Sequence, residues 1–173
     1  MLSREESEIV LQQFVDFVAR ESKVRAPKAT KKLANSIKAQ PVKVTANAME
    51  ATILGEDYLP FIDKGVSGTR KKYNTPFSYK SKGGKTGLKG MPPPSAFDRW
   101  NIIRGRASRD ESGRFLTRKQ LNFATAVSVF RYGIKPTNFF TTPFEQAFAA
   151  LPDELIEAYG LDVENFMELT LKE

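Results

Sequence analysis

Gly84-Lys85-Thr86, inside "YKSKGGKTGLKG" (residues 79–90), is the triplet that ends a phosphate-gripping P-loop. The full motif puts a glycine five residues before the Gly-Lys-Thr, and Tyr79 stands there instead. A P-loop also needs a buried strand ahead and a helix behind, so that backbone N–H groups and the helix N-terminus converge on phosphate. Here "RKKYNTPFS" precedes the loop, charged and carrying Pro76, and "GLKGMPPP" follows, unable to start a helix before its prolines. The triplet therefore reads as part of a flexible basic loop.

Other chemistry is narrowed by what the chain lacks. It has no Cys, which removes disulfides and thiolate zinc sites, and no His, which removes the commonest general base and metal ligand. Carboxylate-only chemistry, such as magnesium-dependent nuclease action, needs two or more acids gathered in one cleft. The candidates Glu56-Asp57, Asp63, Asp98 and Asp110-Glu111 are scattered singly or as adjacent pairs, which usually solvate a surface. No catalytic residue, metal or cofactor is expected, although a nuclease built on Asp57, Asp63 or Glu56 stays a formal alternative.

Basic residues are the positive signal. The net charge is +7, from 27 Lys and Arg against 20 Asp and Glu. Between Val66 and Pro94 stand Arg70, Lys71, Lys72, Lys80, Lys82, Lys85 and Lys89 with no acid, and the rest of the chain is neutral. A cationic arm on a balanced body seeks phosphate or an acidic protein surface. Tyr73, Phe77 and Tyr79 interleave with these bases, which suits base stacking plus phosphate contact, while Leu88 and Met91 add apolar anchors. None of the usual nucleic-acid-binding signatures accompanies the arm.

The elements that carry this arm follow from pattern. With 173 residues, 40% of them hydrophobic and 13 of them Phe, the chain supports a core in a single domain, 1–173, with 66–94 as an extended arm. No run approaches 18 apolar residues, so no membrane span is expected, and the acidic N-terminus "MLSREESEIV" does not resemble an export signal, so the chain is expected in the cytoplasm. Ser3 and Glu6 form a capping box ahead of Val10, Leu11, Phe14, Val15, Phe17 and Val18, predicting a helix over 4–22. A second helix is predicted over 28–39. Alternation over 42–46 and 49–53, with Asn47-Ala48 between, predicts a hairpin. Asp57 caps a short turn that Gly65 ends, and Ser95 caps a helix with Phe97, Trp100 and Ile103. Thr117 caps a helix with Leu121, Ala124, Val127 and Phe130 inward and Gly133 past its end. Thr142 and Pro143 start a helix burying Phe144, Phe148 and Leu151, and a last helix runs from Pro152 onward. The fold class is α+β: a small antiparallel sheet against N-terminal and C-terminal helices, with a long basic loop inserted.

Three clusters in this order resemble a known family. The first is Thr30-x-x-Leu33-x-x-Ser36-Ile37, before the hairpin. The second is Tyr58-x-x-Phe61-Ile62-Asp63-Lys64-Gly65, after it. The third is Pro136-x-x-Phe139-Phe140-x-x-Pro143-Phe144-x-x-Ala147 near the C-terminus. Together they resemble the tail-completion, or minor tail, proteins of long-tailed phages, the group that includes protein Z of phage lambda. The likeness covers 29–65 and 135–151, and the intervening 66–131 is longer than the family's usual link.

The resemblance implies a structural virion protein that forms a ring, commonly a hexamer with a twelvefold ring also open, at the head–tail joint. Its partners would be head-completion or adaptor proteins on one side and the tail terminator or tail tube on the other, with the genome passing through the lumen. It would be assembled in the host cytoplasm and would have no membrane partner and no enzymatic role. The basic arm would clamp a neighbouring subunit or partner, and non-specific contact with genomic DNA is the alternative.

Overall fold

The computed structural model describes residues 2–27, 31–45, 48–107 and 109–159. It is α+β, with seven α-helices and two two-stranded antiparallel pairs among the described residues. The chain divides into two compact units: unit 1 is 1–60 with 138–173, and unit 2 is 61–137.

Unit 1 opens with α1 (Arg4–Arg25). The capping box forms as the sequence predicts: Ser3 Oγ accepts from Glu6 N–H, and Glu6 accepts from Ser3 N–H at 2.7 Å. These bonds hold the Glu6 carboxyl below its ordinary range, first through the Ser3 backbone and then through its hydroxyl. The helix runs three residues beyond the expected end and buries Leu11, Phe14, Val15 and Val18. The second helix, α2, is only Lys32–Ser36, against an expected 28–39 whose first residues and whose Thr30 lie outside the described positions. Ile37 turns extended and is fully buried, and Lys38 and Ala39 join a strand instead of a helix. Long-range pairing here overrides local helix propensity.

The hairpin is present in two pieces. β1 (Lys38–Ala39) pairs with β4 (Ile53–Leu54), and β2 (Lys43–Val44) pairs with β3 (Met49–Glu50). Between the two ladders residues 40–42 face residues 51–52, so the first strand carries one extra residue, as at a bulge. Pro41 sits in that step, where its missing N–H breaks no ladder bond. Asn47, in the expected turn, lies outside the described residues. Gln12 of α1 accepts from Val42 N–H at 2.9 Å, tying the hairpin to the helix.

α6 (Thr141–Phe148) packs on α1. Its start differs from the expected one: Phe140 is the N-cap, Thr142 makes no cap bond, and Pro143 is the third helical residue. The cap position is set by Asn138, which takes a left-handed φ of 50° and whose carbonyl accepts from Thr142 N–H. Phe144, Phe148 and Leu151 are buried, as expected. Phe144 lies edge-on to Phe14 at 5.3 Å and stacks near Phe140 and Phe148 at 6.2 and 6.4 Å. Each such ring removed from water stabilises by roughly 1.5–3 kcal/mol. α7 is described over Asp153–Tyr159, and the expected interruption at Gly160 lies outside the described residues.

In unit 2, after α3 (Leu59–Asp63) crosses the boundary, the chain runs without regular structure to a 3-10 helix (Pro94–Phe97), α4 (Asp98–Ile103) and α5 (Arg118–Tyr132). Ser95 lies inside the 3-10 turn and caps nothing, because Pro93 holds the cap position. Thr117 does cap α5, in a reciprocal box with Gln120. The buried face of α5 is not Leu121, Ala124, Val127 and Phe130. It is Asn122, Thr125, Ala126 and Phe130, while Ala124 is exposed.

That rotation has a cause in α4. Asn122 accepts from Asn101 Nδ2 at 2.9 Å and donates to Asp98 Oδ1 at 2.8 Å; Thr125 donates to Asn101 Oδ1 at 3.2 Å. Arg118 donates through two guanidinium nitrogens to the two Asp98 oxygens. The directional needs of this network, and not apolar spacing, set which face turns inward.

Candidate functional site

The arm begins on a fixed base. Val66 and Ile134 exchange backbone hydrogen bonds at 2.9 and 2.8 Å, and Ser67 pairs with Phe77 and Tyr79. Thr69 N–H donates to Phe130 C=O, and Arg70 and Lys71 N–H groups donate to Arg131 C=O, which occupies carbonyls at the C-terminus of α5. The Ser67 hydroxyl bonds both N–H and C=O of Tyr73. Residues 66–79 are therefore folded onto their own unit, and the freely extended arm expected over 66–94 is corrected for this half.

Two glycines make that approach possible. A Cβ on Gly68 would lie 2.2 Å from Arg131 O, and one on Gly133, whose φ is 75°, would lie 2.1 Å from Val66 O. Both backbones touch where no side chain fits. Phe77 packs on Phe61 at 4.4 Å and Tyr79 on Phe130 at 6.0 Å. Burial pushes the Tyr79 hydroxyl above its ordinary pKa. These two rings act as fixings, and neither is freely displayed for base stacking. Tyr73 is half-buried with Lys71 over its ring at 5.3 Å.

The outer half is different. Residues 80–91 form a loop closed by Lys82 N–H to Lys89 O at 2.7 Å and by Ser81 Oγ to Gly87 O at 2.9 Å. Gly83, Gly84, Gly87 and Gly90 all have positive φ. Gly84-Lys85-Thr86 lies in a turn with neither strand nor helix beside it, so nothing there gathers N–H groups on a phosphate. Lys80, Lys82, Lys85 and Lys89 are exposed, as are Arg70, Lys71 and Lys72. None of these seven is ion-paired to an acid among the described residues. The loop tip thus presents a concentrated positive field on a short glycine-rich backbone, suited to anionic partners.

The positions of the three sequence clusters fall as follows. In unit 1, Leu33, Ile37, Phe139, Phe140, Pro143, Phe144 and Ala147 are buried. Ser36 Oγ donates to Leu33 O and accepts from Glu56 N–H at 3.2 Å. Tyr58 is 37% exposed. In unit 2, the second and third clusters meet across more than 70 residues of chain. Thr137 N–H donates to Asp63 O at 3.0 Å, and its hydroxyl donates to Ile62 O at 2.8 Å. A Cβ on Gly65 would lie 2.6 Å from both Ile134 O and Pro136 N. Asp63 is buried and Ile62 half-buried.

A second cationic surface lies around Trp100 and Phe115, outside the arm to which the charge count points. Arg104 and Arg106 lie over the Trp100 ring at 4.6 and 4.3 Å, and Arg109 lies over Phe115 at 4.0 Å. Asp110 Oδ1 caps the turn by accepting from Ser112 and Arg114 N–H, each at 2.9 Å. The available signal was the repeated pairing of arginine with the chain's one Trp and with Phe115, which is absent from the lysine-rich arm.

Among the described residues no three carboxylates gather as a metal site, and no helix is long and apolar enough to cross a membrane. Glu56 binds Lys32 at 2.9 Å, and Asp98 binds Arg118, so two of the acids considered for metal chemistry serve ion pairs instead. No protein-family model, no curated protein and no solved structure matches this chain.

Proposed function

We propose that this chain is a ring-forming structural protein of the phage neck, of the tail-completion type, whose basic loop grips a neighbouring subunit or partner. The observation that carries the reading is the junction of Ile62, Asp63 and Gly65 with Pro136 and Thr137. The two sequence clusters on either side of the long insertion are built against each other, as parts of one shared element interrupted by an excursion would be. The first cluster and the Phe-rich part of the third supply core residues of unit 1, which gives them a packing role consistent with a common scaffold.

The seven exposed bases of the arm, unpaired to acids among the described residues, support the clamp. Closed symmetry would repeat them around a ring and sum their potential. Sedimentation of the purified chain, together with its localisation in intact particles, tests the reading. A closed oligomer, hexameric in the simplest case, found at the head–tail joint supports it. A strict monomer absent from particles overturns it.

The exposed Lys80, Lys82, Lys85 and Lys89 also favour a second reading, non-specific nucleic-acid binding by the loop tip. Binding to random duplex DNA would then weaken with salt at a log–log slope of about −0.9 per phosphate contacted. Absence of binding at low salt removes this alternative.

A further inference from the structure

We propose that the arginine-rich surface of unit 2 between Asp98 and Arg118 receives the acidic, apolar segment 160–173 of a second copy of this chain. The proposal rests on the ring reading and deepens it by naming a contact between copies.

The surface has two kinds of group side by side. Arg104, Arg106, Arg109 and Arg114 are exposed, and three of them lie over aromatic rings. Around them Phe115 is 63%, Ile102 54% and Ile103 44% exposed. Arg106, Ile102, Phe115, Asn101 and Leu121 help line a cavity of about 330 Å³, together with the ion-paired Asp98 and Arg118. Such a cavity is large enough for one or two apolar side chains, with guanidinium groups in its lining.

A partner must satisfy both. A nucleic acid would answer the arginines and could stack a base on Phe115, but it would leave Ile102 and Ile103 against a polar backbone. A peptide alternating carboxylates with apolar residues answers both at once. Guanidinium groups held over rings have already lost much of their rotational freedom, so they bind carboxylates bidentately at low entropic cost.

Residues 160–173, "GLDVENFMELTLKE", have that composition. Asp162, Glu164, Glu168 and Glu173 oppose a single Lys172, and Leu161, Val163, Phe166, Met167, Leu169 and Leu171 are interleaved with them. Fourteen residues span at most about 50 Å when fully extended. The surface also carries the exposed acids Asp110 and Glu111, but Arg104, Arg106, Arg109 and Arg114 outnumber them, so the complement still runs from an acidic segment to a basic surface.

The test uses the full-length chain in sedimentation velocity and a labelled synthetic peptide of residues 160–173 in fluorescence anisotropy. Arg106→Glu with Arg109→Glu is expected to weaken both self-association and peptide capture at least tenfold. Phe115→Ser, at an exposed position, is expected to weaken both severalfold, with Trp100 emission and circular dichroism unchanged. Adding Glu164→Arg and Glu168→Arg to the arginine variant is expected to restore association to within about threefold, which a misfolded surface would not do.

Undiminished assembly of the arginine variant overturns the proposal and leaves the ring reading standing. Self-association that the arginine variant loses, in a chain absent from particles, supports the contact between copies and overturns the ring reading. Failure of the reversed charges to restore association, or displacement of the peptide by duplex DNA, overturns the proposal.

Discussion

Phe144 of unit 1 and Asn122 of unit 2 are both buried, and they are held by opposite kinds of chemistry. Phe144 touches three other phenylalanine rings, from α1 and from its own helix region. Asn122 is fixed by two hydrogen bonds, one to another amide and one to a carboxylate. Ring packing tolerates small rotations and depends mainly on area and volume. A hydrogen-bonded amide pair depends on direction and loses heavily if one partner is left unsatisfied. Unit 1 is therefore specified by how much it buries, and unit 2 by whether its geometry closes.

The largest effect expected from attacking this contrast is at Phe144. Phe144→Ala should cost about 4 kcal/mol through lost burial and the cavity left among the rings, read as the denaturant midpoint of the helical circular-dichroism signal. Gly133→Ala tests the backbone side of unit 2. At φ 75°, with a new Cβ pressed on Val66 O, it should cost about 3 kcal/mol and shift the transition of Trp100 fluorescence. Trp100 is the chain's single Trp and lies in unit 2, so it reports that unit directly.

Asn122→Ala should cost about 2 kcal/mol by leaving Asn101 Nδ2 without its acceptor and removing a donor from Asp98. The paired replacement Asn101→Leu with Asn122→Leu should recover part of that, because it removes both polar partners together. Recovery would sharpen the distinction between the units, whereas a larger loss would mean that shape as well as polarity is fixed there.

The smallest effect is with pH. Arg118, and then Asn122, hold the Asp98 carboxyl below its ordinary range. Its contribution is thus complete above the unfolded value of about 4 and is lost as pH falls through the lower folded one. Comparing the Trp100 midpoint of the wild type with that of Asp98→Asn from pH 6 to pH 3 should show the gap closing on acidification. The pair is half-exposed, so the gap should be modest throughout.

What could be read in advance follows the same line. The capping boxes at Ser3 and Thr117 are local four-residue patterns, and both are present. The apolar stripe of α1 and the aromatic face of α6 depend on burial alone, and periodicity finds them. The inward face of α5 was misread because its partners on α4 lie 21 and 24 residues away and are polar. Helix α2 was drawn too long because Lys38 and Ala39 answer to strand partners at 53–54.

In the basic arm, glycine serves two different needs. Gly83, Gly84 and Gly87 stand in the open loop, but Gly68 is there because Arg131 O leaves no room for a Cβ. Composition alone does not separate a glycine of flexibility from a glycine of contact. Net charge along the chain likewise does not give the ring contacts of Arg104, Arg106 and Arg109, for which the only sequence signal is their nearness to Trp100 and Phe115.

The bridge between Val66 and Ile134 means that the polypeptide departs and comes back through one doorway, with Gly65 and Gly133 as its jambs. The segment beyond such a doorway is cargo held at both ends by backbone hydrogen bonds. Swapping 70–129 for a short linker is then a legitimate piece of engineering, and what the trimmed protein can no longer hold would reveal what the cargo was carried for.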